Sequence, residues 1–166
     1  MKTSGFPGVF VFSGQNRCMD LNEIVHAVRA LDGVLVLAPD AGSDFPEISW
    51  GDFFFYFAPA GEVPLNTQPF ATIVTKDYPD DAASDLDGVG RWRVNIHVGQ
   101  TKLAALTEGG SPDLAEADVL LVHPVYGAYG WICVVNPGER TEAAVQQLLR
   151  DAHDDARRRF ARRAES

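Results

Sequence analysis

The chain has 166 residues, of which 46% are hydrophobic and 22% charged, and this composition is typical of one globular domain. A formal net charge of −9 repels phosphate backbones and therefore disfavours nucleic-acid binding. No apolar run approaches the roughly 20 residues of a membrane helix, and the N-terminus lacks a signal-peptide pattern. The two cysteines, Cys18 and Cys133, form no disulfide framework, so we expect a cytoplasmic protein.

Residues 1–18 differ from the rest of the chain because glycine and proline interrupt them repeatedly. Within them only residues 8–12 have the pattern of a strand. We expect this segment to be an appendage: a tag, an upstream start or an extra edge strand. Residues 19–166 are then a single domain.

A helix is predicted to begin at Asp20, with Glu23 completing the capping-box spacing. Its apolar residues recur at helical intervals, and Gly33 is expected to end it in the left-handed conformation. Strands are predicted over 34–37, 52–57, 70–75 and 91–98, followed by a helix over 100–108 and a helical turn over 113–118. Two further strands, joined by a glycine- and tyrosine-rich turn, are predicted within residues 120–137.

A long helix closes the chain, and its first turn has two candidate caps, Asn136 followed by Pro137, or Thr141. The arginines near its end suit the negative end of the helix dipole. Because the strands follow one another without crossover helices, we predict an α+β fold. It has an antiparallel meander sheet of about six strands, with the N-terminal helix and the long C-terminal helix packed on one face.

The acidic segment 76–88 partly resembles a calcium loop, but Ala83 and Val94 stand where that motif requires ligands. A solvated loop with Asx turns is the better interpretation. Metal-binding spacings of histidine or cysteine are absent from the sequence, so we predict neither a metal nor another cofactor. Cys133 lies between Ile132 and Val134 and is predicted to be a small core residue.

A candidate site is formed by the 123–131 hairpin and the strands that can neighbour it. His123 is the acid/base candidate and Tyr126 the donor, because an imidazole moves protons near neutral pH and a phenol can donate to a developing oxyanion. Alternatively, these residues only end a strand and cover the sheet. The remaining candidates are predicted to bind the ligand: Phe54, Tyr56, Arg93, Asn95, His97, Tyr129 and Trp131. By contrast, His26 and His153 are predicted to lie on solvent-facing helix surfaces.

Several segments resemble an uncharacterised actinobacterial family, domain of unknown function 6194. They are residues 52–56, 69–77, 84–87, 93–96 and 123–137, and the resemblance extends from about Met19 to about Arg159. More distantly, the order of elements is similar to the MmcQ/YjbR group. That resemblance implies a frataxin-like α+β fold and a link to DNA binding, which the acidic charge disfavours.

The leading hypothesis is a small-molecule-binding protein, or a cofactor-independent enzyme of bacterial specialised metabolism. Its ligand would lie between the aromatic sheet face and the 123–131 hairpin. The alternative is a protein-interaction module, including a homodimer, which would present a large apolar patch instead of a pocket. Binding of DNA through the terminal arginines is the third hypothesis.

Overall fold

The structure is a computed structural model that describes residues 18–107 and 113–166. In chain order it contains α1 (Leu21–Arg29), β1 (Val34–Leu37), β2 (Phe53–Phe57), β3 (Ala71–Val74), β4 (Arg93–His97), α2 (Gln100–Leu106), β5 (Leu121–Val122), β6 (Trp131–Val135) and α3 (Glu142–Ala164). Short 3₁₀ turns lie at Glu47–Ser49 and Gly127–Tyr129. The strand predicted at residues 8–12 and the helix break predicted at 109–112 lie outside the described residues.

The six strands form one antiparallel sheet in the order β1-β2-β3-β4-β6-β5, which confirms the predicted α+β fold. Strands β1 to β4 are a meander, and β6 then pairs with both β4 and β5. Helices α1 and α3 pack on one face of the sheet, where Ile24, Phe55, Ile96 and Leu149 are buried in one core. Because successive residues of a strand point to opposite faces, the neighbours of these core residues lie on the other face of the sheet.

The first helix begins as predicted. The Asp20 carboxylate accepts from the backbone N–H of Asn22, and the Glu23 carboxylate accepts from the backbone N–H of Asp20. The predicted end is wrong, because α1 stops at Arg29 with Ala30 as its C-cap. Gly33 does have a positive φ of 68°, but it lies in the turn that leads into β1.

The long helix begins after Thr141, so the assignment of Asn136 as its cap is wrong. Asn136 instead accepts from the backbone N–H of Trp92 and donates to the carbonyl of Gly90. The helix start is capped by Asp118, which lies in a turn where a helical turn was predicted. Its carboxylate accepts from the backbone N–H groups of Gly138, Arg140 and Thr141 and from the Thr141 hydroxyl.

His153 was predicted to face solvent, and this is also wrong. The residue is 8% exposed, and its Nε2 lies 2.6 Å from the carbonyl oxygen of Asp32. The edge of its ring packs against Phe57 and Phe70. The acidic residues next to His153 in the sequence favoured an exposed position. Its burial depends on the packing of α3 across the end of β2, which the sequence pattern does not show.

The acidic loop differs from the solvated loop with Asx turns that was predicted, because Ser84 and Leu86 are buried and two of its carboxylates bond across the loop. Asp77 accepts from the backbone N–H of Leu86, and Asp87 accepts from the backbone N–H of Asp77. In the described part of the chain, no group of three or more histidine, cysteine or acidic side chains is placed to hold a metal ion. Nor does any helix in those residues combine the length and apolar character needed to cross a membrane.

Candidate functional site

A cavity of about 970 Å³ lies on the sheet face opposite the core. Its walls are the 123–131 hairpin, the loop over residues 64–69 and the end of α3. The volume is near the upper end of the range of about 300–1,000 Å³ typical of ligand pockets. All nine predicted site residues line this one cavity: Phe54, Tyr56, Arg93, Asn95, His97, His123, Tyr126, Tyr129 and Trp131.

The register of the sheet brings these residues together. Thr72 pairs with Phe54 on one side and with Asn95 on the other, so the three side chains lie in one row across the cavity floor. His97 pairs with Trp131, and their rings meet edge to face at 5.5 Å. The alternation predicted for 91–98 is therefore confirmed in β4, where Val94 and Ile96 enter the core while their neighbours face the cavity.

The hairpin is held against the end of β4 by two glycines. Gly130 has a φ of 85°, and a Cβ added there would lie 2.8 Å from the Cα of Gly99. Its carbonyl accepts from the backbone N–H groups of Val98 and Gly99. A side chain on Gly130 would push the hairpin away from β4, so this contact fixes the position of His123 relative to the sheet floor.

Arg93 occupies the buried end of the cavity and is only 1% exposed. Its guanidinium makes a bidentate ion pair with Asp81, at 3.0 Å and 2.6 Å. It also donates to the Ser84 hydroxyl at 2.9 Å and to the Asn95 side-chain oxygen at 2.7 Å. Four of its five N–H groups are therefore paired, and the fifth, on Nη2, faces Nε2 of His123 at 3.1 Å.

The charge of Arg93 is balanced by the Asp81 carboxylate. Burial alone would raise the pKa of Asp81, but the hydrogen bonds and the positive charge of Arg93 outweigh burial and lower that pKa. Asp81 is therefore ionised at neutral pH, and the buried end of the cavity holds one positive and one negative charge.

His123 is 4% exposed, and both of its ring nitrogens face N–H groups. On one side, the backbone N–H groups of Val125 and Tyr126 donate to Nδ1, at 3.1 Å and 3.0 Å. On the other side, Nε2 faces the guanidinium of Arg93. Because a neutral imidazole accepts at one nitrogen only, and two donors point at Nδ1, the proton lies on Nε2.

This tautomer has a consequence for the buried end. The Nε2–H of His123 and the Nη2–H of Arg93 are both donors, so they cannot bond to each other. The nearest carboxylate oxygen, on Asp81, is 3.9 Å from Nε2, which is too long for a hydrogen bond. Two buried N–H groups therefore lie side by side at the cavity wall, and the His123 proton has no acceptor among the described residues.

Burial lowers the pKa of His123, the charge of Arg93 lowers it further, and the Asp81 carboxylate opposes them, leaving a pKa of about 4. At neutral pH the ring is therefore uncharged. The Nδ1 lone pair is occupied by backbone donors, so the geometry favours a hydrogen-bond donor at Nε2 over a general base. The acid/base role predicted for His123 stays untested.

The rest of the cavity wall is aromatic. Phe54, Tyr56 and Trp131 are half-buried on the floor, and burial raises the pKa of Tyr56. Tyr126 and Tyr129 stand at the rim and are 49% and 72% exposed. The ring of Tyr126 lies 5.0 Å from that of His123, close enough for both to contact one ligand.

Residues 19–165 match the Family of unknown function (DUF6194). The chain belongs to this family. Comparisons with curated proteins and with solved structures give no significant match. The description of the DUF6194 family assigns no activity. The more distant resemblance to the MmcQ/YjbR group stays a prediction.

The cavity residues that were not predicted include three charged ones, Asp81, Arg159 and Arg163. Asp81 lies in the acidic loop, where nothing in the sequence distinguishes it from its neighbours. Arg159 and Arg163 lie near the end of α3 and were interpreted as partners of the helix dipole or as a candidate DNA-binding surface, not as cavity residues. Both line the cavity because α3 extends past the last core contact and reaches its mouth.

The mouth of the cavity is positively charged. Arg157 and Arg158 are paired with Asp154 and Asp155, whereas Arg159 has no hydrogen-bonded acidic partner in the described part of the chain. Burial lowers the pKa of Arg159, the charge of Asp155 opposes this, and the neighbouring arginines lower the pKa further. Arg163 donates to the Thr67 hydroxyl at 3.2 Å. Although the chain has a net charge of −9, the two arginines make the cavity mouth locally positive.

Cys133 pairs with Asn95 in the sheet, so its side chain lies on the same face as the cavity. It is fully buried, as predicted, and its Sγ lies 3.9 Å from the carbonyl oxygen of Val122. Burial raises the pKa of its thiol to about 12, so it is not a nucleophile at neutral pH.

Proposed function

We propose that the protein binds a small organic molecule in the cavity between the aromatic sheet face and the 123–131 hairpin. The observation that carries this proposal is that side chains from β2, β4, β6 and the hairpin line one hollow of about 970 Å³. Structural residues of a covered sheet would fill such a space with their own side chains. A binding protein and a cofactor-independent enzyme both need this arrangement.

The charge at the mouth supports an anionic ligand. Arg159 and Arg163 line the cavity and, among the described residues, make no ion pair with a carboxylate of the kind that Arg157 and Arg158 make with Asp154. Asp155 acts on Arg159 only through its charge. An apolar body would lie on Phe54, Tyr56 and Trp131, while an acidic group would meet the guanidinium groups.

The first experiment tests whether the cavity is the binding site. The probe is N-phenyl-1-naphthylamine, an uncharged aromatic dye whose fluorescence rises in apolar surroundings. Val125→Trp fills the cavity without removing a side-chain hydrogen bond, because only the backbone of Val125 bonds to His123. We expect at least about tenfold weaker binding, since the ring displaces apolar contact area. Val89→Trp is the matched control on a fully exposed position outside the cavity. Equal affinities in the two variants would remove the proposal.

The second experiment tests the sign of the ligand's charge. The double variant Arg159→Gln/Arg163→Gln should bind the anionic dye 8-anilinonaphthalene-1-sulfonate about tenfold more weakly than the unmodified protein does. Its affinity for the uncharged dye should be nearly unchanged. Arg157→Gln/Arg158→Gln, which removes two arginines already paired with acids, is the control. If both double variants weaken sulfonate binding equally, the dye is attracted by the positive charge of the whole end of α3 and not by the two arginines at the cavity mouth.

The alternative function is a protein-interaction or dimerisation module, and exposed apolar side chains near the cavity favour it. Leu65 is 87% exposed, and Tyr129 and Phe160 are exposed at the rim. If this function is right, the protein should self-associate in sedimentation experiments. Leu65→Ser should weaken the association, and Val125→Trp should leave it unchanged.

A further inference from the structure

At the buried end of the cavity, two N–H donors have no acceptor among the described residues: His123 Nε2–H and the fifth N–H of Arg93. His123 Nε2 and Arg93 Nη2 are 3.1 Å apart, and their side chains are 3% and 1% exposed. A buried donor without an acceptor is unfavourable, so a bound group that supplied an acceptor would recover free energy. An oxygen placed between the two N–H groups would do so.

The shape of the donor pair selects the kind of oxygen. A carbonyl oxygen has two lone pairs in one plane and accepts two hydrogen bonds at once. Two N–H groups whose nitrogens lie 3.1 Å apart can both point at one such atom. Arg93 and His123 are fixed by Asp81, Ser84 and the hairpin backbone, so the donors are already oriented before a ligand binds.

The charge of the pair selects an uncharged oxygen. The guanidinium of Arg93 is neutralised by Asp81, His123 is uncharged, and Asp80, the residue before Asp81, also lines the cavity. A carboxylate here would meet the negative charge of Asp81 with no excess positive charge to offset it. An anionic group therefore fits the mouth of the cavity, and a neutral group fits the buried end.

We propose that the Arg93 and His123 N–H groups together bind an uncharged carbonyl oxygen, such as that of a ketone, an ester or an amide, at the buried end of the cavity. This inference rests on the proposed function, because the carbonyl belongs to the ligand that the cavity holds. Two hydrogen bonds to the oxygen also polarise the C=O bond and make its carbon more electrophilic.

The test uses two uncharged probes of the same shape. 2-Acetylnaphthalene carries a carbonyl oxygen, and 2-isopropenylnaphthalene has a CH₂ group in its place. Their affinities are measured by displacement of N-phenyl-1-naphthylamine. We expect the ketone to bind at least about tenfold more tightly, because only the ketone oxygen accepts hydrogen bonds from the two buried donors.

The variant His123→Asn removes the Nε2–H donor. Its side-chain oxygen lies near the position of Nδ1 and can still accept from the backbone of Val125 and Tyr126. The ratio of the two affinities should fall several-fold in this variant. His26→Asn, the same change at an exposed histidine of α1, should keep the ratio of the unmodified protein.

The outcomes separate the two proposals. If neither naphthalene displaces the dye and the dye itself does not bind, the proposed function fails. If both probes bind equally, or if His123→Asn keeps the ratio, the carbonyl site is wrong while the cavity remains a binding site. Should His123→Asn not fold, the infrared C=O stretch of the ketone bound to the unmodified protein decides: no shift to lower frequency relative to an apolar solvent overturns the carbonyl site.

Discussion

The protonation of His123 couples the candidate site to the stability of the fold. The folded pKa is lowered to about 4, whereas an unfolded histidine has a pKa of about 6.5. As pH falls from 6.5 towards 4, the unfolded chain gains a proton at this residue and the folded protein does not. The contribution of His123 is therefore present above pH 6.5 and is lost as the pH falls towards 4.

Replacing His123 by Asn removes this dependence. In the unmodified protein the site should cost about 1.4 kcal/mol of unfolding free energy per pH unit within that window. Between pH 7 and pH 4, the unmodified protein should therefore lose roughly 3 kcal/mol more unfolding free energy than the His123→Asn variant. Urea denaturation at several pH values measures it. Parallel curves would mean that His123 titrates normally and that the buried donor pair is wrongly assigned. The Asp81–Arg93 pair is a separate effect, because the lowered pKa of Asp81 places its loss at more acidic pH.

At the scale of single elements, the start of α3 depends on a carboxylate more than 20 residues away. Asp118 accepts four hydrogen bonds from the 138–141 turn, and its own backbone N–H donates to Val135 at 2.7 Å. Burial would raise the pKa of Asp118, but these hydrogen bonds lower it. Since α3 supplies both core residues and the mouth of the cavity, Asp118 links the fold to the candidate site.

Replacing Asp118 by Ala should cost about 2 kcal/mol of unfolding free energy, because it removes the helix cap and leaves the turn N–H groups without an acceptor. Asp118 also has a φ of 60°, which Asn tolerates better than Ala. Asp118→Asn should therefore recover most of the loss. Asp113→Ala is the control, since among the described residues its carboxylate accepts one hydrogen bond, from the backbone N–H of Ala115. Equal costs at 113 and 118 would show that the cap contributes nothing specific.

The same elements show which features the sequence can predict. The strands were found because their alternation is local, and the faces of β4 followed directly from it. The cap of α3 was not predicted because Asp118 is more than 20 residues before the helix, and capping patterns in a sequence involve only neighbouring residues. The tautomer of His123 was missed for a similar reason: it depends on the direction of two backbone N–H groups in the 123–131 hairpin. The nine site residues were predictable by type and strand face, whereas Asp81, Arg159 and Arg163 join them only through tertiary packing.

For the molecule as a whole, charge is distributed unevenly. The net charge is −9, yet the cavity mouth carries Arg159 and Arg163, which make no ion pair with a carboxylate in the part of the chain that the structure describes. Acidic surroundings should repel anions from most of the surface and leave this mouth as the point of entry. Binding of duplex DNA, with its much larger density of negative charge, remains disfavoured by the same distribution. The cytoplasmic location stays a prediction.

The extent of the folded unit can be tested by removing residues 1–17. In the described residues the core begins at Met19, which is 2% exposed and whose backbone N–H donates to Pro137 at 2.8 Å. The family match also begins at residue 19.

A chain that starts at Cys18 after an initiator methionine should therefore lose less than about 1 kcal/mol of unfolding free energy, because its core stays intact. Met19→Ala in the full chain is the contrasting variant and should cost about 3 kcal/mol, since it opens a cavity in that core. If the shortened chain is destabilised as much as Met19→Ala, or loses N-phenyl-1-naphthylamine binding, then residues 1–17 belong to the folded domain.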